Sequence, residues 1–285
     1  MLRGGVPFRP HRRSIDAGGI RLAAYEVNAG GREAPAVLLL HGLGHWSEGA
    51  WGRLVPRLDP ALRYVALDLP GFGASDKPAG RYDRRFFAAA LDAAVEALGL
   101  DAFSLVGHSL GGFLAADLAA RTPRRVRRLA LIAPGGFARS ARFAAFGLAA
   151  RLAPRTFGRR PSRRLVERVL ARSVVDPRSL DAGDVERAVA QTADPAMRRA
   201  FGAVYAAGLP AFVAGRGLRA ELARYDGPVL CAWGARDRFI PARGLRAVAA
   251  TYPHARTLML ARSAHLPMIE QPDELAAALR PFLAV

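Results

Sequence analysis

The chain has 285 residues, is 51% hydrophobic, carries a formal net charge of +18 and contains one cysteine. That length supports one large core with an inserted subdomain, and the lone Cys231 excludes an intrachain disulfide and argues against a cysteine-ligated metal. Lys77 is the only lysine among 42 basic residues, so the charge reads as an arginine habit of the whole chain. Without an aromatic platform or a reading motif it leaves weak, salt-sensitive adhesion to anionic surfaces and no nucleic-acid partner.

In chain order, residues 1–13 are charged and have no apolar stretch of the secretory kind, and no run approaches the roughly twenty apolar residues that span a bilayer. A cytoplasmic protein with no integral membrane segment is expected. Strands are predicted at Arg21–Asn28, Ala36–Leu40, Tyr64–Asp68, Phe103–Val106, Val126–Ala133, Val229–Trp233 and Thr257–Leu260. They alternate with helical stretches, the pattern of a parallel sheet. Asp83–Leu98 places Phe87, Leu91, Ala94 and Val95 at helical spacing and ends at Gly99, and the terminal helix begins at Pro272 with Asp273 and Glu274 in its first turn.

The apolar strand at Phe103 runs directly into Gly107-His-Ser109-Leu-Gly111 and then an alanine-rich helix. A serine on so sharp a strand-to-helix turn sits close to neighbouring backbone, so its flanks must be small. Ser109 is therefore the candidate nucleophile. A serine hydroxyl needs a base and an orienting acid, expected downstream in the order acid, then histidine. Asp237 follows the strand Val229–Trp233 and is the candidate acid, with Asp68, which also follows a strand, as the competing carboxylate. His265 follows the last strand and is the candidate base; His11 and His254 lack a suitable strand end, while His41, His45 and His108 lie upstream of or beside the serine. His108 is expected to pack beside the elbow. The oxyanion donors are assigned to the N–H of Leu110 and, from the glycine-rich turn after Ala36–Leu40, the N–H of Leu43. Cys231 reads as an inert core thiol.

Between Gly136 and about Tyr225 the strand signals stop and helices follow one another. Pro161–Ala171 and Asp184–Gln191 read as short amphipathic helices, and Asp194-Pro195 as an N-cap with proline in the first turn.

With the turn at His41-Gly42, the segment Asp68-Leu-Pro-Gly-Phe-Gly-Ala-Ser-Asp-Lys-Pro78, the elbow, Trp233-Gly-Ala-Arg-Asp237 and Ala264-His265, the chain resembles the α/β-hydrolase superfamily and its serine-nucleophile, esterase-like members. The resemblance implies an α/β fold with a mostly parallel eight-stranded sheet and helices on both faces, a triad of Ser109, Asp237 and His265, and no metal or organic cofactor. It divides the chain into a core of residues 1–136 and 226–285 and a helical cap, or lid, of residues 137–225. Phe137, Phe143, Phe146, Phe201, Tyr205 and Phe212 then become candidates for lining an apolar substrate pocket, each equally able to pack the lid onto the core. The expected activity is hydrolysis of a carboxylic ester of a small-molecule substrate. Carbon–carbon bond hydrolysis and cofactor-free perhydrolysis use the same triad and remain open, as does a non-catalytic module that binds a small ligand. Haloalkane dehalogenase and epoxide hydrolase chemistry need a carboxylate where Ser109 stands.

Overall fold

A computed structural model of the chain describes residues 10–28, 31, 33–138, 145, 148–150, 152, 158–207 and 216–284. Eight strands, β1 (His11–Asp16), β2 (Arg21–Asn28), β3 (Ala36–Leu40), β4 (Arg63–Leu67), β5 (Phe103–His108), β6 (Val126–Ile132), β7 (Val229–Gly234) and β8 (Arg256–Leu260), form one sheet. Its order is β1-β2-β4-β3-β5-β6-β7-β8. Strand β2 pairs antiparallel with β1 and β4, and the remaining neighbours pair in parallel. Every residue of β3, β5 and β7 is buried, which is why these segments read as unbroken apolar runs. Strand β1 buries only Ile15 and carries no such run. The strand positions read from the sequence therefore stop one short of the sheet.

The period-2 geometry of β3 sends Leu38 and Leu40 to one core and Val37 and Leu39 to the other. Helices α1 (Ser47–Trp51), α2 (Arg84–Ala97) and α3 (Leu110–Arg121) alternate with the first parallel strands. Phe87, Leu91 and Phe113 of α2 and α3 fill the first core, while Trp51 of α1 lies in the second. Asp83 caps α2 by accepting from the Phe86 N–H at 3.0 Å, and Gly99 just beyond it has φ of 63°, as the sequence spacing requires.

Between β6 and β7 the described residues contain α4 (Arg163–Ser173), α5 (Ala182–Ala193), α6 (Pro195–Ala206) and α7 (Arg216–Leu222). Asp181 and Asp184 form a reciprocal capping box on α5, and Asp194 caps α6 with Pro195 at its first position. Arg53, just past α1, donates to Ser179 O, to Asp181 Oδ2 at 3.0 Å and to Asp184 Oδ2 at 2.6 Å, fastening α5 to the sheet layer. The chain closes with α8 (Gly244–Thr251), α9 (Pro267–Glu270) and α10 (Pro272–Leu283), whose Leu275, Leu279 and Phe282 complete the second core.

Asp68, the competing acid in the sequence, is fully buried and occupied elsewhere. Its carboxylate accepts from Ser47 N–H at 2.7 Å, Ala74 N–H at 2.8 Å and Tyr25 O–H at 3.2 Å, knotting the loops after β3 and β4. Asp68→Ala strands these donors, and urea denaturation is expected to show a loss of roughly 3 kcal/mol; a change under 1 kcal/mol, roughly one ordinary hydrogen bond, contradicts this role.

Candidate active site

Strand β5 ends at His108 and α3 starts at Leu110, leaving Ser109 alone at the corner with φ of 53° and ψ of −114°. Such a conformation costs a non-glycine residue about 1–3 kcal/mol and persists only when its surroundings enforce it. Here Ser109 N–H donates to Ile132 O at 3.0 Å, and Ser109 O accepts from Phe113 N–H at 3.1 Å and Gly135 N–H at 2.8 Å. The flanks are as tight as the motif implies. A Cβ on Gly107 would lie 2.3 Å from Gly111 O, and one on Gly111 2.1 Å from Leu40 O.

His265 sits in the loop after β8, and both of its main-chain groups are held. Its N–H donates to Ser173 O at 2.9 Å, and its carbonyl accepts from Nε2 of His108 at 2.8 Å. Glu270 braces the same loop, accepting from Ala264 N–H at 2.7 Å and Ser263 Oγ–H at 3.0 Å. Asp237 lies in the turn after β7 with its side chain fully buried. Its Oδ1 accepts from Phe239 N–H at 2.8 Å and Ile240 N–H at 2.9 Å, which aims Oδ2 at His265.

The three candidates read from the sequence meet in one line. His265 Nδ1 lies 2.7 Å from Asp237 Oδ2, and His265 Nε2 lies 3.1 Å from Ser109 Oγ. A carboxylate can only accept, so Nδ1 carries the proton and Nε2 presents a lone pair to the serine hydroxyl. The turn after β3 borders the same serine: a Cβ on Gly42 would fall 3.1 Å from Ser109 Cβ. The N–H groups of Leu43 and Leu110 have no hydrogen-bond partner among the described residues. This arrangement can deprotonate a hydroxyl, with two unpartnered amides on the elbow and on the turn that borders it.

Three further imidazoles surround the line, and all are held neutral. His41 donates from Nδ1 to Gly42 O at 2.8 Å and accepts at Nε2 from Leu69 N–H at 2.9 Å; burial lowers its pKa against the opposing pull of Asp68. Burial, then the neighbouring His41 and His265, push His45 down to about 3. Burial, with His265 and His45 nearby, puts His108 well below the ordinary histidine range. A second positive charge beside a protonated His265 is thereby avoided. Among the described residues no three His, Cys, Asp or Glu side chains group as metal ligands would.

Two of the residues that hold His265, Ser173 and Glu270, carried no motif, and the Nε2 bond of His108 was equally invisible although its place beside the elbow was foreseen. Of the aromatic candidates, Phe137 is 5% exposed and belongs to the first core, its ring 6.3 Å from that of Tyr252. Phe201 and Tyr205 of α6 have ring centroids 5.1 Å apart with planes tilted by 59°, and a Cβ on Gly44 would lie 3.1 Å from the Phe201 ring. Phe143, Phe146 and Phe212 lie outside the described residues. A cavity of about 30 Å³, room for a water, separates Gly44, His45 and Trp46 from Leu170, Asp184 and Leu266. A larger one of about 150 Å³ opens near Ala36, Ser104 and Arg128, at the amino ends of the strands. Ligands of open α/β sheets bind at the carboxyl ends, the end at which the smaller cavity lies beside Leu266, although none of the three candidate side chains lines it.

The model of the alpha/beta hydrolase fold family matches residues 35–272. A 2-hydroxymuconate semialdehyde hydrolase of Pseudomonas sp. strain CF600 is 27% identical over 278 residues, covering 95% of this chain and 93% of that protein. The dihydrolipoyllysine-residue acetyltransferase component of the acetoin cleaving system of Cupriavidus necator is 32% identical over 278 residues, covering 94% of this chain and 68% of that one. Among solved structures, a bacterial membrane phospholipase A superposes with a TM-score of 0.79 at 28% identity, covering 96% of this chain and 86% of its own.

The neutral histidines set a pH dependence. In the unfolded chain they take up protons near pH 6.5, in the folded chain only at lower pH, so their contribution to stability is complete above pH 6.5 and lost as pH falls. His45 alone accounts for about 1.4 kcal/mol per pH unit below 6, a loss that runs down to about pH 3. Urea denaturation is expected to show that the loss of stability between pH 7 and 5 is about 2 kcal/mol smaller in His45→Gln; an unchanged pH dependence contradicts the neutral state of His45.

Proposed function

Because the chain belongs to the alpha/beta hydrolase fold family, and with it to the hydrolases, we propose that it cleaves a carboxylic ester through an acyl-enzyme, with Ser109 as nucleophile, His265 as general base and Asp237 as orienting acid. The observation that carries this reading is the line from Ser109 Oγ to His265 Nε2 at 3.1 Å and from His265 Nδ1 to Asp237 Oδ2 at 2.7 Å. His265 takes the hydroxyl proton as Ser109 attacks the carbonyl carbon, and the amides of Leu43 and Leu110 receive the oxyanion. The proton passes to the departing alkoxide, an alcohol leaves, and water deprotonated by the same imidazole releases the acid.

Residues 137–225 act as a helical cap in this reading. Phe201, whose ring lies against Gly44 of the turn that carries Leu43, and Tyr205 beside it serve as the apolar wall for the acyl or alcohol portion. Phe137, packed in the first core, and Phe143, Phe146 and Phe212 remain candidates for the rest of that wall.

Carbon–carbon bond hydrolysis is the second reading, favoured by the full-length relative that is a 2-hydroxymuconate semialdehyde hydrolase. Ring-cleavage hydrolases often carry Asn before the serine and Trp after the histidine; here those neighbours are His108 and Leu266. A panel of p-nitrophenyl esters and of vinylogous diketones separates the two. Ester turnover that falls by about 10⁴ in Asp237→Asn, where the wrong tautomer is favoured, is the expected result. Turnover of the diketones alone transfers the assignment to carbon–carbon cleavage. Near-normal ester rates in Asp237→Asn remove Asp237 from the mechanism, and inertness to the whole panel leaves a ligand-binding module.

A further inference from the structure

Helix α4 is two-faced. Val166 and Ser173 are buried, while Arg164, Leu165, Arg168, Val169 and Arg172 are exposed: the three arginines recur at i, i+4 and i+8, and Leu165 and Val169 form the row between them and the buried side, one continuous stripe. Leu165 is 46% and Val169 44% exposed. Large exposed aliphatics of this kind are few: of the five among the described residues, Leu148, Leu152, Leu165 and Val169 all lie between β6 and β7. The arginines of the stripe are not spent on ion pairs. Arg163 is tied to Glu167 and to Glu186 of α5, but Arg164, Arg168 and Arg172 have no carboxylate within ion-pair distance among the described residues. Residues 139–172 contain ten arginines and a single acidic residue, Glu167.

The geometry points to this face as a docking surface for an anionic phospholipid membrane, bound peripherally. An amphipathic helix lying in the headgroup layer places aliphatic side chains at the acyl boundary while cations beside them meet lipid phosphate. Guanidinium suits that role because it pairs with phosphate oxygens through two parallel hydrogen bonds and is weakly hydrated. The bilayer is the occupant that uses both halves of the stripe. A nucleic-acid backbone would engage the arginines but leave Leu165 and Val169 in water, and α4 carries no aromatic ring on which a base stacks. A second copy of the chain would bring its own unpaired arginines against these. No helix among the described residues is long and apolar enough to cross a membrane, so the contact is one of surface and not of span. The cross-links Arg163–Glu186 and Arg53–Asp184 hold α4 to α5 and α5 to the sheet layer, which presents the stripe on a fixed support.

The test is co-sedimentation of the full chain with phosphatidylcholine vesicles and with vesicles containing about one-third phosphatidylglycerol, enough to give the surface a strong negative potential. Binding is expected to be at least roughly tenfold tighter to the anionic vesicles and to weaken with salt. Arg164→Gln/Arg168→Gln/Arg172→Gln is expected to lose about fivefold per arginine, and Leu165→Ser/Val169→Ser to lose roughly tenfold. All five side chains are exposed, so both variants should melt with the native protein, and neither should alter turnover of a water-soluble ester. Binding is read without catalysis, so failure of the ester reading leaves this result standing. Equal binding to neutral and anionic vesicles, no binding to either, or full binding by the triple arginine variant overturns the proposal. So does variant-sensitive capture of duplex RNA without vesicle binding, or self-association that the same substitutions abolish.

Discussion

An imidazole 156 residues downstream of a serine can take its proton only if the ring is fixed in both position and tautomer. The remainder of the structure is organised around that requirement at His265. Its ring is oriented from one side by the buried Asp237 carboxylate, whose second oxygen is already saturated by two backbone N–H groups. Its backbone is clamped from both sides, the N–H by Ser173 and the carbonyl by His108. Each clamp comes from a different part of the chain, so the line from Ser109 through His265 to Asp237 depends on the sheet, the elbow and the helices between β6 and β7 at once.

The sheet contributes precision through close approach. Ser109 is held in a left-handed conformation by hydrogen bonds to the ends of β6 and α3, and the glycines beside it let the corner press against Leu40 and the turn that carries Leu43. The same crowding brings three more histidines within reach, and the low dielectric that surrounds them keeps them neutral. Burial thus has two effects here. It places the groups, and it leaves His265 as the imidazole whose positive charge would meet a hydrogen-bonded carboxylate. The helices between β6 and β7 are part of this design and more than a cover, since Ser173 at the end of α4 supplies one of the clamps.

Much of this was legible in the sequence because it rests on local signals. Continuous apolar runs mark β3, β5 and β7 since both faces of those strands are buried, and Asp83, Gly99, Asp194 and Pro195 mark helix ends through backbone chemistry that needs no tertiary partner. The elbow was legible for the same reason: its glycines answer to atoms only a few residues away. What escaped depends on distant neighbours. Strand β1 is an exposed edge with a single buried side chain, so its pairing leaves almost no hydrophobic trace. The grip of Ser173 and Glu270 on the histidine loop joins residues that share no motif, and Asp68 could not be told from an acid of the site until its three donors were seen. Phe137 belongs to the core although its neighbourhood in sequence suggested the cap, because an aromatic side chain carries no mark of which surface it will fill.

The most direct measurement is peptide mapping by mass spectrometry after brief exposure to a fluorophosphonate. The account predicts a single adduct on Ser109, formed rapidly in the native protein and slowed by several orders of magnitude in His265→Ala. An adduct on another residue, or equally fast labelling of Ser109 without the imidazole, would contradict the claim that this line of side chains activates the serine.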